Sequence, residues 1–378
     1  MPSAELKIVP VETKSELKQF IGLPHQIYQN DPHWIAPLNF ERKRLFNPKK
    51  NPFFQHAQVQ LFLAKRNGEV VGRISAQIDE EYEKRHGKRV GHFGFFESEN
   101  NPETARVLFE HAEDYLKKNR AVSVTGPFNF SINGESGLLV EGFDQPLTLM
   151  MPYNPPYYEK LIEENNYQKC KDLYAWNYLA GDIPDTPLQL AAELAKHPDL
   201  TVRPIRLSEL EADLEKIMDI FNSAWANNWG FVPLQNYEVK QMAKDLKLFI
   251  DPKIALIAEI KGEPAAMCLT LPNFYEYIRG LNGKLFPLGF LKLLWRIKRR
   301  KCDNARLLLL GIKKEFRQHP FNMLSMLLYT EIHTRGKANG YMRGELSWTL
   351  EDNTSINQGI ELMGGKRYKT YRIYEKEL

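Results

Sequence analysis

The sequence predicts a mixed α/β protein, of α+β type, built as two similar halves in tandem. Each half is a mixed, mostly antiparallel sheet flanked by helices. Three observations predict it. Segments of period 2 alternate with segments of period 3.6 along the chain. The same order of segments occurs twice. And 378 residues exceed the roughly 250–300 at which a single core divides.

The first half opens with a helix at residues 14–28 (KSELKQFIGLPHQIY), followed by NDPHWIAPL. VQLFLAKR and VVGRISAQID then read as two strands joined at Asn67-Gly68, the dipeptide of tight hairpins. GHFGFFES is a third strand, PETARVLFEHAEDYLKKN a helix, and AVSVTGPF a fourth strand. PPYYEKLIEENNYQKCKDLYAWNY closes the half as helix, turn and strand.

The second half repeats that order. The helix LEADLEKIMDIFNSAW leads into NNWGFVPL, an echo of NDPHWIAPL: Asn, Trp, then Pro-Leu. KIALIAEI, the turn KGE and PAAMCLTLPN form the hairpin. After an insertion come the strand ARLLLLGI, the helix PFNMLSMLLYTEIHTRGKANGY and the strand RGELSWTL. NTSINQGIELMGGKRYKTYRIYE is again helix, turn and strand. The expected division is an N-terminal domain at 1–180, a linker with a connecting helix at 181–200, and a C-terminal domain at 201–378 carrying an insertion at 281–301.

Totals exclude several classes. With 43% hydrophobic and 12% aromatic residues the chain is an ordinary globular one. A net charge of +4 is too balanced to imply a nucleic-acid protein by itself. Cys170, Cys268 and Cys302 have neither zinc-type nor disulfide-framework spacing. His56 and His92 have no second ligand at metal spacing, so no metal site is expected. The first residues lack a basic-then-apolar leader and no apolar run reaches spanning length, so a cytoplasmic protein is expected.

The strand ending Leu310, Gly311, Ile312 enters the turn stretch Arg317-Gln318-His319-Pro320-Phe321-Asn322, and a helix leaves with Pro320 in its first turn, its free N–H groups those of Asn322, Met323 and Leu324. A helix N-terminus after a strand offers free N–H groups to an anion. This order of elements resembles the Gcn5-related N-acetyltransferase (GNAT) fold, and the pairing of two copies resembles a family of bacterial tandem GNAT-like proteins, mostly uncharacterised. The resemblance covers nearly the whole chain. It implies two acyl-CoA N-acyltransferase folds, with acyl-CoA (acetyl-CoA) as cosubstrate and its pyrophosphate at Gln318 to Leu324. The superfamily turn reads Arg/Gln-x-x-Gly-x-Gly/Ala. Arg317 and Gln318 fit it, but both glycines are replaced, so Phe321 and Asn322 bring side chains where phosphate would meet backbone. The first half has only a short acidic turn after GHFGFFES and is expected to be degenerate.

The resemblance also implies a backbone oxyanion donor near Leu310 to Ile312 and a tyrosine acid in the last helix, seven residues after Asn353. Ile360 stands there instead, which leaves Tyr371 or Tyr374 of the last strand as substitutes. Glu351, and after it Glu345, are candidate bases for the incoming ammonium; Asn353 is a candidate cofactor-binding residue and equally a helix N-cap. Trp225, Asn228, Trp229 and Phe231 fall in the segment that lines the acceptor site of this fold. In the first half, Asn129, Asn133 and Glu135 form a polar cluster suited to a binding cleft or to plain turn chemistry.

Residues 283–301 (GKLFPLGFLKLLWRIKRRK) hold seven basic residues and no acidic one. This basic, aromatic helix suits an anionic membrane surface or an acidic ligand, or simply packs its leucines inward. The expected activity is acyl transfer from acyl-CoA to a small-molecule amine. An aminoacyl-tRNA-dependent transferase, and a non-catalytic binding or sensor protein that kept the fold, are the alternatives.

Overall fold

The computed structural model describes residues 5–246, 250–299 and 302–378. Two compact units result. Unit 1 comprises Met1–Leu173, Ile278–Leu291 and Lys369–Leu378; unit 2 comprises Tyr174–Tyr277 and Lys292–Tyr368.

Unit 1 begins β1 (Leu6–Pro10), α1 (Lys14–Ile27), α2 (Asn39–Leu45), β2 (Ala57–Arg66), β3 (Glu69–Asp79), α3 (Glu80–His86) and β4 (Val90–Ser98). It continues α4 (Pro102–Lys118), β5 (Ser123–Gly126), the short β6 (Phe128–Asn129) and β7 (Glu135–Ser136), β8 (Leu138–Glu141), α5 (Tyr158–Glu163) and the start of β9 (Gln168–Leu179). α1 starts where Thr13 accepts from Glu16 N–H while Glu16 reaches back, a reciprocal capping box. α4 starts at the Asn101 cap followed by Pro102, whose missing N–H is no loss in a first turn. The sheet runs β1-β2-β3-β4-β5 and ends on the chain's final strand. β3 is buried on both faces. Ile74, Ala76 and Ile78 join the core beneath α4, and the intervening Arg73, Ser75, Gln77 and Asp79 are buried polar groups. A second core of Phe20, Phe46, Phe53, Phe95 and Phe130 packs ring on ring, Phe20 edge-on to Phe46 with centroids 5.2 Å apart and Phe53 stacked on Phe130.

Unit 2 takes Tyr174–Leu179 of β9, then α6 (Asp185–Leu194), β10 (Leu200–Pro204), α7 (Leu210–Trp225), α8 (Asn236–Leu246), β11 (Ala255–Ile260) and β12 (Glu263–Pro272). After α9 (Phe274–Ile278) and α10 (Gly289–Lys298), whose residues up to Leu291 count with unit 1, come β13 (Asn304–Ile312), α11 (Leu324–Ala338), β14 (Arg343–Leu350), α12 (Thr354–Leu362) and β15 (Lys366–Glu377). The order is β9-β14-β13-β12-β11-β10, with β13 and β14 parallel. The turn of the β11–β12 hairpin has Lys261 at φ +52° and Gly262 at +83°; Asn67 and Gly68 adopt +51° and +86° in the β2–β3 hairpin. The same turn thus recurs at the same place in each half, Lys261 occupying a left-handed position that Asn takes at less cost. Leu256, Ala258, Cys268, Leu307, Leu327 and Ile360 form the core under α11 and α12.

β15 departs from chain order: its residues from Thr370 onward pair with β8 and β5 in unit 1. Among the described residues no helix is long and apolar enough to cross a membrane, and no cluster of His, Cys, Asp and Glu is placed to hold a metal ion.

Candidate active site

In unit 2, β13 and β14 pair from Asn304↔Arg343 only to Leu307↔Leu346, although β13 continues to Ile312 and β14 to Leu350. The register of β13 against β12 shifts at the same level: Leu269 opposes Leu309 and Thr270 opposes Leu307, leaving Leu308 as a bulge. A bulge bends and twists a strand. The two parallel strands therefore part, and the backbone of Leu308–Ile312 turns away from ladder pairing with β14. Leu310, Gly311 and Ile312 lie on this parted segment.

Beyond it, Arg317 is exposed but not idle. Its Nε donates to Ile312 O at 2.9 Å and its Nη2 to Ala224 O at 3.0 Å, stitching the end of α7 to β13. The expectation that Arg317 serves a phosphate is corrected to that extent, because two of its donor groups are committed to carbonyls. Phe321 is also not where the sequence suggested. Its ring packs edge-on against His197, centroids 4.8 Å apart, and so turns from the helix end. α11 starts at Leu324 with Met323 as a cap lacking a side-chain bond. Leu324 N–H donates to Phe321 O at 3.0 Å, which removes it from the donors expected to face a phosphate. Gln318, His319 and Asn322 are exposed around this helix start.

Of the residues expected to line the acceptor site, Trp225 meets the same strand. Trp225, last residue of α7, lies flat enough on Gly311 that a methyl there would stand 2.2 Å from Trp225 Cζ3. Only glycine permits that approach. Asn228 N–H donates to Trp225 O at 2.8 Å, and buried Phe231 packs on Phe221, centroids 5.5 Å apart. Trp229 is half-buried in the loop.

Alternation along β14 puts Leu346 in the core under α11 and sends Glu345 and Ser347 to the other face. Arg306 is the register partner of Glu345. Its Nε donates to Ser347 Oγ at 2.9 Å and its Nη2 to Ser347 O at 3.1 Å. Ser347 Oγ in turn donates to Glu345 Oε1 at 2.6 Å, and the Tyr368 hydroxyl donates to Glu345 Oε2. Arg306, Glu345 and Ser347 are buried while Tyr368 is half-exposed. The phenol is thus the wetter end of a connected polar chain. The sequence reading missed Arg306, Ser347 and Tyr368. An arginine inside ARLLLLGI was the available signal, since a charge in a core strand must be paired.

Glu351 lies elsewhere, at the start of α12, lining an open groove of about 270 Å³ with Trp176, Asn357 and Arg367. Asn353 is the N-cap of α12, its Oδ1 accepting from Ile356 N–H at 3.4 Å, and Ile360 is buried against Gly365. Tyr371 and Tyr374, the expected substitute acids, are corrected. Both are fully buried in unit 1, where Tyr371 opposes Leu139 and Tyr374 bonds Glu159 and Glu163. Tyr368, three residues before Tyr371, is the last-strand tyrosine that reaches a carboxylate of unit 2.

The equivalent strands of unit 1 also part. β4 and β5 pair from Val90↔Ser123 to His92↔Thr125. Here the chain's own residues 128–130 follow: Asn129 Oδ1 accepts from Phe95 N–H at 2.7 Å, and Gln77 Nε2 donates to both Phe128 O and Phe130 O. A methyl on Gly94 would stand 1.9 Å from Phe128 O. Asn129 Nδ2 donates to Glu135 Oε2, and Glu135 Oε1 meets Arg42 at 2.7 Å. Burial pushes the Glu135 carboxyl up, but the Arg42 guanidinium and the Asn129 amide together hold it below its ordinary value. Asn129 and Glu135, offered as ligand-binding residues, spend these bonds on fastening β6 and β7. Asn133 is half-exposed in the turn between them.

The protein is built of two GNAT folds in tandem. A tandem GNAT protein from the clavulanic acid biosynthesis pathway matches 99% of this chain and 98% of its own at a TM-score of 0.59 and 12% identity. A GCN5-related N-acetyltransferase from Sphaerobacter thermophilus matches 98% and 95% at 0.54 and 12%. No protein-family model matches the chain. At the level of sequence it is 42% identical over 379 positions to the bacterial ceramide synthase of Caulobacter vibrioides, covering 100% of this chain and 98% of that protein. It is 39% identical over 369 positions to protein YghO of Escherichia coli, covering 97% and 94%. The chain belongs to the family of these two bacterial proteins.

Proposed function

We propose that the chain joins a fatty acyl group from an acyl-CoA thioester to the amine of a long-chain amino alcohol, giving a ceramide-type amide, and that unit 2 performs the reaction. The observation that carries this reading is the end-to-end 42% identity with a bacterial ceramide synthase. The geometry supports this reading with a chemistry. An alkylammonium of pKa about 10.4 must lose a proton first, which at neutral pH costs about 4 to 5 kcal/mol. Glu345, held by Ser347 and Tyr368, is the base in this reading. The ammonium passes its proton to the Tyr368 oxygen as Tyr368 passes its own to Glu345. The free amine attacks the thioester carbonyl, the C–N bond forms and the C–S bond breaks. The amide nitrogen sheds a second proton; one of the two protons leaves with the thiolate as thiol and the other goes to solvent. The donor thioester lies along the parted β13 with its phosphates at α11, served by Met323 and Asn322 N–H and the side chains of Gln318 and His319. Trp225, Asn228, Trp229 and Phe231 wall the acceptor. Unit 1, whose strand gap holds Phe128–Phe130, takes no CoA.

The test is mass spectrometry of products after the purified protein meets a fatty acyl-CoA and a sphingoid base. An N-acyl product with release of one free thiol per amide is expected. Hydrolysis of the thioester alone, or carriage of an intact ligand without turnover, would replace this reading with a hydrolase or a binding protein.

A further inference from the structure

α10 and the turn before it bury little of their apolar surface. On α10 only Leu293 is buried, while Phe290, Leu291, Leu294 and Trp295 are exposed. These four recur at helical spacing and form one face. Phe286, 81% exposed, and Leu288, 70% exposed, continue the apolar surface in the turn leading to the helix. Contiguous exposed apolar residues of this size mark an interaction surface. The surrounding charge is of one sign: Lys284, Lys292, Lys298 and Arg299 are exposed, and residues 283–301 contain no acidic residue. Arg300 and Lys301 lie outside the described residues. The Arg299 guanidinium lies 5.8 Å from the Trp295 ring centroid.

We propose that α10 is an in-plane membrane anchor that seats this apolar face among the acyl chains of an anionic bilayer while its lysines and arginines meet the phosphates. Charge chooses the partner. Two copies of this face brought together would oppose like charges, whereas an anionic lipid surface neutralises them. Ten residues of helix are too few to span, so the helix lies flat. The proposal goes beyond the acyl-transfer reading and does not depend on it.

The experiment is flotation of the full-length protein with phosphatidylcholine vesicles, with and without phosphatidylglycerol. Binding to the anionic vesicles is expected at about 0.01 M salt and a loss of about tenfold or more at about 1 M, as the screening length falls from about 30 Å to about 3 Å. The triple variant Phe286→Glu/Leu291→Glu/Leu294→Glu should lose binding at least tenfold with an unchanged melting temperature. Lys292→Gln/Lys298→Gln/Arg299→Gln should lose the salt-sensitive part. Acyl transfer between short-chain, water-soluble substrates should be the same in all three proteins. Wild type that stays off anionic vesicles at low salt, or a glutamate variant that floats equally, would overturn the proposal. So would a wild-type dimer that the glutamate variant dissociates, which would give the face to a second copy. Vesicle binding without acyl transfer would sink the enzymatic reading and leave this one standing.

Discussion

Gly311→Ala should loosen the end of α7 and the loop that follows it in unit 2. The added methyl would stand 2.2 Å from Trp225 Cζ3, 2.8 Å from Cη2 and 3.2 Å from Ala224 Cβ. Carbon atoms prefer about 3.5–4.0 Å, so the indole must retreat by more than about 1 Å. It cannot do so freely. Phe221 stands behind it with ring centroids 5.0 Å apart, and Arg317 ties Ala224 O to β13. Overpacking of this kind costs about 1–3 kcal/mol. At about 2–4 °C per kcal/mol for a body of this size, Tm should fall by about 2–12 °C. The shift moves Asn228, Trp229 and Phe231 with the helix end, so KM for the amine should rise more than kcat falls. Scanning calorimetry and initial-rate kinetics on wild type and variant measure both. Gly311→Ala/Trp225→Ala should recover part of the lost stability relative to the sum of the two single changes, since it removes the ring that clashes. An unchanged Tm in Gly311→Ala, or strict additivity in the double variant, would refute the contact.

Tyr368→Phe should lower kcat by about ten- to a hundredfold with KM for the amine within a few-fold, because it removes a proton path and one hydrogen bond to Glu345; kinetics at constant folded fraction check it. Asn129→Ala should lower Tm by several degrees by leaving buried Phe95 N–H without its 2.7 Å acceptor, a loss of about 1–3 kcal/mol, yet leave turnover per folded molecule unchanged; intact stability with lost activity would make Asn129 a substrate ligand instead. Burial holds His92 down at about 4, so its unfolded form binds the proton first as pH falls. Its contribution is present above pH about 6.5 and lost towards pH 4, about 3 kcal/mol in all. Glu97, whose carboxyl burial raises, slopes the other way above its ordinary value. The difference in unfolding free energy between wild type and His92→Phe, measured across pH 4–7, isolates the histidine; a flat difference would refute it.

Much of the fold was legible because the signals are local. The hairpin turns, the Asn101-Pro102 helix start and the alternation of RGELSWTL each follow from neighbours in the chain, and the repeat of their order implied two halves. Partnership between distant segments was not legible. Tyr368, Tyr371 and Tyr374 share one alternating strand, and nothing local says that the first meets Glu345 while the other two enter the core of unit 1. The same pairing draws Lys369–Leu378 into unit 1, which division in chain order does not foresee. The roles suggested by Asn129 and Glu135 failed to anticipate Phe95 and Arg42 for a similar reason: a polar residue near glycines reads alike whether it faces a ligand or the protein's own backbone. Glu351 and Glu345 were both visible as carboxylates at one strand. Only burial and the donors around each separate an open groove from a connected buried network.

Comparing kcat/KM for Glu345→Gln and Glu351→Gln across pH 6–10, with an acyl-CoA and a long-chain amine as substrates, tests the central claim most directly. The account predicts that Glu345→Gln loses about 10²- to 10⁴-fold at neutral pH and recovers part of it as alkaline pH supplies the free amine, while Glu351→Gln stays within a few-fold of wild type. A deep, pH-rescued loss in Glu351→Gln with Glu345→Gln nearly intact would contradict it and move the base to the α12 groove.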